Sequence, residues 1–185
     1  MLILASLSPR RKELLRKITT DFVVMPANID ERALDLLSPK DLPLEESRMK
    51  AYEVFSSHPF DRVLASDTVV ILDNEVLGKP KDEKDAILML KRQSGKRQVV
   101  LTGYTYIDEN REITRSVKTF VYFNVLSDQQ IIDYVNKYKP LDKAGAYGIQ
   151  DEAGLINRIE GSYDNVMGFP TEDIKAHVFN NLFTK

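Results

Sequence analysis

The chain has 185 residues, of which 43% are hydrophobic and 29% are charged, and its formal net charge is -2. This length suits one domain, or one domain with two lobes, and the acidic balance is not that of a general nucleic-acid binder. The absence of cysteine excludes disulfides, thiol nucleophiles and thiolate zinc sites.

The first half of the chain alternates between short apolar runs and helical patterns. In chain order, the prediction is a strand over 2–5, a helix that Ser8 caps and Pro9 opens, a strand over 22–25, a loop over 26–41, a helix over 44–55, and strands over 63–72 and 75–77. The run from 63 to 72 is the strongest strand signal.

The second half continues the alternation and adds a long hairpin. The predicted elements are a helix from its cap Asp82 to Ser94, strands over 98–108 and 113–124, a helix over 128–138, a glycine-containing loop over 141–152, a strand over 155–159 and a closing helix over 171–183. Helices alternate with strands and the long pair is antiparallel, so we expect an α/β fold with a mixed twisted sheet. We find no linker and treat residues 1–185 as one domain. Without a signal peptide or a membrane-length apolar run, we expect it in the cytoplasm and away from membranes.

The first candidate site is the junction between the first strand and the first helix. Ser6 ends the strand, and Arg10 and Arg11 occupy the first helical turn. Basic side chains there oppose the helix dipole, but free amide groups and guanidinium forks suit phosphate. A solvated helix start is the alternative, and the position of both arginines favours an anion site.

The second candidate is a polar interruption of the strongest strand. Asp67 and Thr68 lie inside an apolar run, where a carboxylate is costly unless it is paired, hydrogen-bonded or bound to metal. Asp67 could be a metal ligand, a general base or an aspartate bonded to a nearby amide. Lys79, in a Gly-Lys-Pro turn, can reach a phosphate but does not belong to a P-loop.

The third candidate is the loop from Lys143 to Gln150, in which small residues flank Tyr147. Small residues let a ligand approach the backbone, and the Gln150 amide can both donate and accept hydrogen bonds to a base edge. A glycine turn between elements is the alternative. The turn-rich stretch over 161–170 is equally well explained as a structural corner.

Together and in this order, these segments resemble the Maf family of nucleotide pyrophosphatases. The matching stretches are Ala5-Ser-Leu-Ser-Pro-Arg-Arg11, Ala65-Ser-Asp-Thr-Val-Val70, Gly78-Lys-Pro80, Leu141-Asp-Lys-Ala-Gly-Ala-Tyr-Gly-Ile-Gln150 and Gly161 through Pro170. They span nearly the whole chain. Leu7 departs from the pattern, because many members carry a small residue there, and it could narrow the phosphate site.

The resemblance implies a two-lobed fold with a central cleft, like that of the inosine triphosphate pyrophosphatases. It implies that Asp67 is the catalytic acid–base residue and that Arg10, Thr68 and Gln150 determine substrate choice. The substrate-binding set it implies is Ser6, Arg10, Arg11, Lys50, Thr68, Lys79 and Gln150. A divalent cation, Mg2+ or alternatively Mn2+, would be held by Asp67 with Glu31.

The resemblance also implies the reaction, which is hydrolysis of dTTP and UTP to the monophosphate and pyrophosphate, with a house-cleaning role against non-standard nucleotides. One alternative is a pyrophosphatase for 7-methyl-GTP or other modified nucleotides. A second alternative is a non-enzymatic regulator of septum formation or cell division. A homodimer is compatible with the family, and we expect no nucleic-acid partner.

Overall fold

The computed structural model describes residues 1–30, 34, 36–151 and 153–180. Its strands are β1 (Leu2–Leu4), β2 (Val23–Val24), β3 (Arg62–Leu72), β4 (Glu75–Leu77), β5 (Arg97–Ile107), β6 (Glu112–Phe123) and β7 (Ile156–Glu160). Its α-helices are α1 (Pro9–Arg16), α2 (Leu42–Ser57), α3 (Glu83–Gln93), α4 (Asp128–Tyr138), α5 (Tyr163–Val166) and α6 (Thr171–Ile174). Within this part of the chain, no helix is both long and apolar enough to cross a membrane.

The strands form one mixed sheet in the order β2-β1-β3-β5-β6-β7, with β4 paired to the C-terminal end of β3. The pairs of β1 with β2 and with β3 are parallel, and the remaining pairs are antiparallel. The expected mixed α/β sheet is therefore confirmed, including the long antiparallel hairpin of β5 and β6.

Local capping explains where several helices begin. The Ser8 hydroxyl accepts from the Arg11 amide at the start of α1, and Asp82 accepts from the Asp85 amide at the start of α3. At α4, Ser127 and Gln130 form the expected capping box. These caps satisfy amides that have no partner within the helix, so the chain turns into a helix where the sequence predicts it.

The two ends of the chain differ most from the expected boundaries. Strand β2 is two residues long, because it pairs only with β1, which is itself short. The corner over 161–170 contains the short helix α5. The closing helix begins with α6 as expected and continues as a π-helical turn over Lys175–Phe179, while positions 181–183 lie outside the described residues.

The buried core divides into three clusters that meet along β3. Alternating residues of β1 and β3 face opposite sides of the sheet, where Leu4 and Leu64 pack with α1 while Ile3 and Ala65 pack with α2. From Val70 onward, β3 contributes to a third cluster, which contains α3 and α4. Residues 66–68 separate the first two clusters, which form one lobe with α1 and α2, from the third, which forms the other lobe with α3 and α4. The polar interruption of the strand therefore lies where these lobes meet.

Candidate active site

A cleft of about 670 Å³ opens at this junction. Seven of the predicted site residues line it, namely Ser6, Arg10, Arg11, Lys50, Asp67, Thr68 and Lys79. The structure therefore brings together segments separated by up to 73 positions in the chain, from Ser6 to Lys79. Leu7 also lines the cleft and is 73% exposed at its mouth. Glu31 lies outside the described residues.

Helix α2 reaches the cleft because β5 has a glycine beneath the start of the helix. Gly103 is paired with Asp67 across the β3–β5 ladder, so both residues face α2. A Cβ atom at Gly103 would lie 2.5 Å from the Pro43 carbonyl carbon and 2.7 Å from the Leu44 nitrogen. The missing side chain thus allows the first turn of α2 to rest on the sheet and carry Lys50 to Asp67.

The centre of the site is a cluster of one lysine and two carboxylates. The Lys50 ammonium donates to Asp67 Oδ1 at 2.8 Å and to Glu46 Oε1 at 2.7 Å. Lys50 and Glu46 belong to successive turns of α2, whereas Asp67 comes from β3. All three side chains are at most 16% exposed, so solvent screens these charges only weakly.

Arg11 connects this cluster to the opposite side of the sheet. Its guanidinium lies 3.8 Å from Asp67 Oδ1 and donates to the Gly168 carbonyl at 3.1 Å and to the Thr68 hydroxyl at 3.4 Å. The Thr68 hydroxyl is 2.9 Å from that of Thr102, which donates to a backbone carbonyl. Arg11 is therefore fixed by several acceptors and presents a positive charge to the cleft.

The surroundings set the protonation states of these groups. Burial raises the pKa of Asp67, but the charges of Arg11 and Lys50 outweigh burial and hold it below its usual value. Burial lowers the pKa of Lys50, and the charges of Asp67 and Glu46 reverse this and raise it. Burial and the nearby charge of Asp67 raise the pKa of Glu46 to about 8, so its carboxyl group is mostly protonated at neutral pH. At neutral pH, Asp67 is therefore ionised and Lys50 is protonated.

The second lobe supplies the other wall of the cleft through β4 and the loop over 141–151. The Gly145 amide donates to the Gly78 carbonyl at 3.0 Å, which fastens this loop next to Lys79. Asp142 in the same loop accepts from Arg10 at 3.1 Å and from Lys143 at 3.1 Å. The ion pair of Arg10 with Asp142 therefore spans the cleft between the lobes.

The comparisons with known proteins agree with this geometry. A family model for Maf-like proteins matches residues 1–179. The chain belongs to the Maf family. A protein from Thermococcus gammatolerans, named dTTP/UTP pyrophosphatase, is 48% identical over 175 residues, which cover 94% of this chain and 93% of that protein. One of the same name from Clostridioides difficile is 44% identical, covering 98% and 97%.

Solved structures confirm the expected fold of this Maf protein. The Staphylococcus aureus Ham1 protein matches with a TM-score of 0.56 at 16% identity, covering 97% of this chain and 98% of that one. A HAM1 protein from Coxiella burnetii matches with a TM-score of 0.52 at 14% identity and the same coverage. At this identity the match establishes the fold and nothing about the substrate.

Of the predicted site residues that the structure describes, Gln150 is the one that does not line the cleft of this Maf protein. Its neighbour Ile149 lines the cleft instead. The turn that contains both is fixed by Tyr134, whose hydroxyl donates to Asp151 at 2.5 Å and accepts from the Gly148 amide at 2.9 Å. The role of Gln150 in substrate choice stays a prediction.

Sequence reasoning missed two carboxylates of this Maf site, Glu46 and Asp142. Glu46 stands four residues before Lys50 on a helix, a spacing that is common for exposed ion pairs and gives no sign of a cleft. Asp142 lies within the matched loop pattern, but its contact with Arg10 depends on how the lobes meet. Lys143, quoted above only as the start of that loop, also lines the cleft.

Proposed function

We propose that this Maf protein hydrolyses dTTP and UTP to the nucleoside monophosphate and pyrophosphate. The observation that carries the proposal is Asp67, an ionised carboxylate held between Lys50 and Arg11 at the centre of a cationic cleft. Relatives of this name at 44% and 48% identity, matched over nearly their full length, support the choice of substrate.

The charge of the cleft suits a triphosphate. Its described lining contains five cations, Arg10, Arg11, Lys50, Lys79 and Lys143, and three carboxylates, Glu46, Asp67 and Asp142. The arginines begin a helix, where amide groups and the dipole also favour anions. Cations fixed in advance stabilise the negative charge that develops on the leaving pyrophosphate.

Asp67 is placed to act on the attacking water. In the proposed reaction, the water oxygen bonds to the α-phosphorus, the bond from that phosphorus to the bridging oxygen breaks, and pyrophosphate leaves. Asp67 accepts the proton of the water, since it is ionised at neutral pH. Lys50 and Arg11 remain protonated and balance the charge of the phosphates.

Selection of the base is assigned to Arg10, Thr68 and Gln150. Thr68 is held by Arg11 and Thr102 at the floor of the cleft. The Gln150 amide can pair with the carbonyl and N3–H edge of a pyrimidine once its turn presents it to the cleft. Purines are excluded in this proposal by the size of the pocket.

The donor set of the cleft is consistent with Mg2+. This ion binds through one or two carboxylates together with substrate phosphates and water, so it does not need a cage of protein ligands. Among the described residues there is no group of three or more histidine, aspartate or glutamate side chains placed for a metal. Asp67 would hold the ion together with the phosphates, and Mn2+ accepts the same oxygen ligands. Bound there, the ion would neutralise phosphate charge and make water more acidic.

Release of pyrophosphate from a panel of nucleotides tests the proposal. The panel contains dTTP, UTP, CTP, ATP, GTP and 7-methyl-GTP, each with Mg2+ and with a chelator. We expect Mg2+-dependent release that favours dTTP and UTP. A preference for 7-methyl-GTP would overturn the substrate assignment, and no release from any nucleotide by folded protein would favour the regulatory alternative. Since the proposed substrates are intracellular metabolites, we also propose that the protein acts in the cytoplasm.

A further inference from the structure

The proposed reaction leaves one group in the centre of the cleft without a role, the Glu46 carboxylate. This side chain lines the cleft, is 9% exposed, and accepts a hydrogen bond from Lys50 at 2.7 Å. We propose that Glu46 is a positioning residue that holds the Lys50 ammonium group between the two carboxylates and aimed at the substrate phosphates. The inference rests on the proposed function and assigns a further residue to the same site.

The geometry gives Lys50 a defined direction. A lysine ammonium has three N–H donors, and here one goes to Glu46 on the same helix and one to Asp67 on β3. Both carboxylates lie along the cleft wall, so the third donor can address a phosphate oxygen. With Asp67 as its only partner, the long side chain could rotate about that single contact.

Stability does not explain a carboxylate at this position. Burial of the Glu46 carboxyl group beside the Lys50 ammonium costs hydration, as the raised pKa of Glu46 shows, and replacing a buried ion pair with apolar groups of similar size is often neutral or stabilising. Helix α2 packs against β3 and β5, and Glu46 is among the buried residues of that helix, most of which carry no charge. An exposed pair at the same spacing would contribute only a few tenths of a kcal/mol.

A double-mutant cycle tests whether Glu46 acts through Lys50. Glu46→Leu removes the acceptor, Lys50→Met removes the donor, and the double variant closes the cycle. We expect Glu46→Leu to lower kcat roughly 10-fold or more and to change KM by less than about 2-fold. In the Lys50→Met background, the same substitution should change kcat by less than about 2-fold, since the effects of coupled residues are not additive. Glu46→Gln keeps an oxygen acceptor and should recover most of the lost kcat.

The neighbouring Glu45 supplies a matched control. It is an acid on the same helix whose side chain is 44% exposed, it lies 3.9 Å from Arg48, and it does not line the cleft. Glu45→Leu should therefore leave kcat, KM and Tm unchanged. If Glu46→Leu and Lys50→Met have independent, multiplying effects, the proposal is wrong. If Glu46→Leu still lowers kcat in the Lys50→Met background and raises the Mg2+ concentration needed for activity, Glu46 is a metal ligand and the proposal is wrong.

Chemical labelling tests the same contact without any turnover. Acylation of lysines by a succinimidyl ester, followed by mass spectrometry, measures the accessibility and protonation of Lys50 relative to the exposed Lys91. Glu46→Leu should raise the relative labelling rate of Lys50 several-fold, because the amine loses one of its two hydrogen-bond acceptors, and Glu45→Leu should not. Unchanged labelling would overturn the proposal. Failure of the wild-type protein to release pyrophosphate would refute the proposed function and leave the labelling result to decide the role of Glu46.

Discussion

Replacement of Gly103 by alanine tests how the sheet positions the cluster of Lys50, Glu46 and Asp67. The added Cβ atom would lie 2.5 Å from the Pro43 carbonyl carbon, whereas carbon atoms in contact are about 3.5 Å apart. The first turn of α2 must therefore retreat by about 1 Å. Such overpacking costs about 1–3 kcal/mol, which corresponds to a fall in Tm of about 2–12 °C for a chain of this size.

The same displacement should reduce activity more than stability. Lys50 is nearly two turns beyond the clash on α2, and its 2.8 Å contact with Asp67 cannot absorb a retreat of that size and stay a direct hydrogen bond. A 1 Å misplacement of a catalytic group can cost about 100-fold, so we expect kcat/KM to fall by 10- to 100-fold.

Differential scanning calorimetry and pyrophosphate release measure the two effects of Gly103→Ala. Gly78→Ala is the control for stability, because a Cβ atom at Gly78 meets nothing within 4 Å and its Tm should stay close to that of the wild type. A Gly103→Ala protein with wild-type Tm and wild-type kcat/KM would refute the argument that the close approach of α2 requires glycine. A lower Tm with unchanged activity would show that Lys50 does not depend on the position of the helix.

Three further predictions concern single carboxylates. Asp67→Asn should fold but lose about 10²- to 10⁴-fold in kcat, as measured by pyrophosphate release, and normal turnover would contradict the role of Asp67 as a base. Asp142→Asn should change the free energy of unfolding by less than about 1 kcal/mol, since the ion pairs of Asp142 are exposed. It should also lower KM, because Arg10 and Lys143 become available to the substrate phosphates. An unchanged or higher KM in steady-state kinetics would disprove this. Burial raises the pKa of Asp173, but hydrogen bonds from Arg115 and Tyr104 outweigh it and hold the pKa below its usual value. This contribution to stability is present above the unfolded pKa of Asp173 and is lost as pH falls through its lower folded pKa. Asp173→Asn should therefore lower Tm at pH 7, and the difference in Tm from wild type should become smaller in acid. A difference in Tm that does not depend on pH would argue against this.

Local patterns in the sequence were sufficient for most elements of the fold. Ser127 and Gln130 mark the start of α4 by a reciprocal pair of hydrogen bonds that depends on adjacent residues alone. The apolar run over residues 63–72, broken only by the polar residues 66–68, identifies β3, since a strand covered on both faces needs apolar residues on both. Boundaries were less accurate at β2 and α6, where pairing and docking with other elements set the length.

The central part of the site could also be predicted from the sequence. Asp67 is a carboxylate inside an apolar strand and therefore requires partners, and two arginines at the start of a helix are explained by a bound anion. Both arguments use only neighbouring residues. Both predicted residues that line the cleft. The family pattern added Lys50 and placed Lys79, already a candidate from its Gly-Lys-Pro turn, in the same site. Glu46 was missed because the same spacing on an exposed helix would mean little.

The sequence by itself determined the order of the elements, the family and the segment that carries Asp67, because each depends on residues close together in the chain. Tertiary structure alone decided that Glu46 shares Lys50 with Asp67, that Asp142 meets Arg10 across the cleft, and that Gly103 lies beneath α2. These contacts join residues 17 to 132 positions apart, or depend on which face of a helix is buried. Strand register and helix docking set them, and neither is encoded in a local pattern.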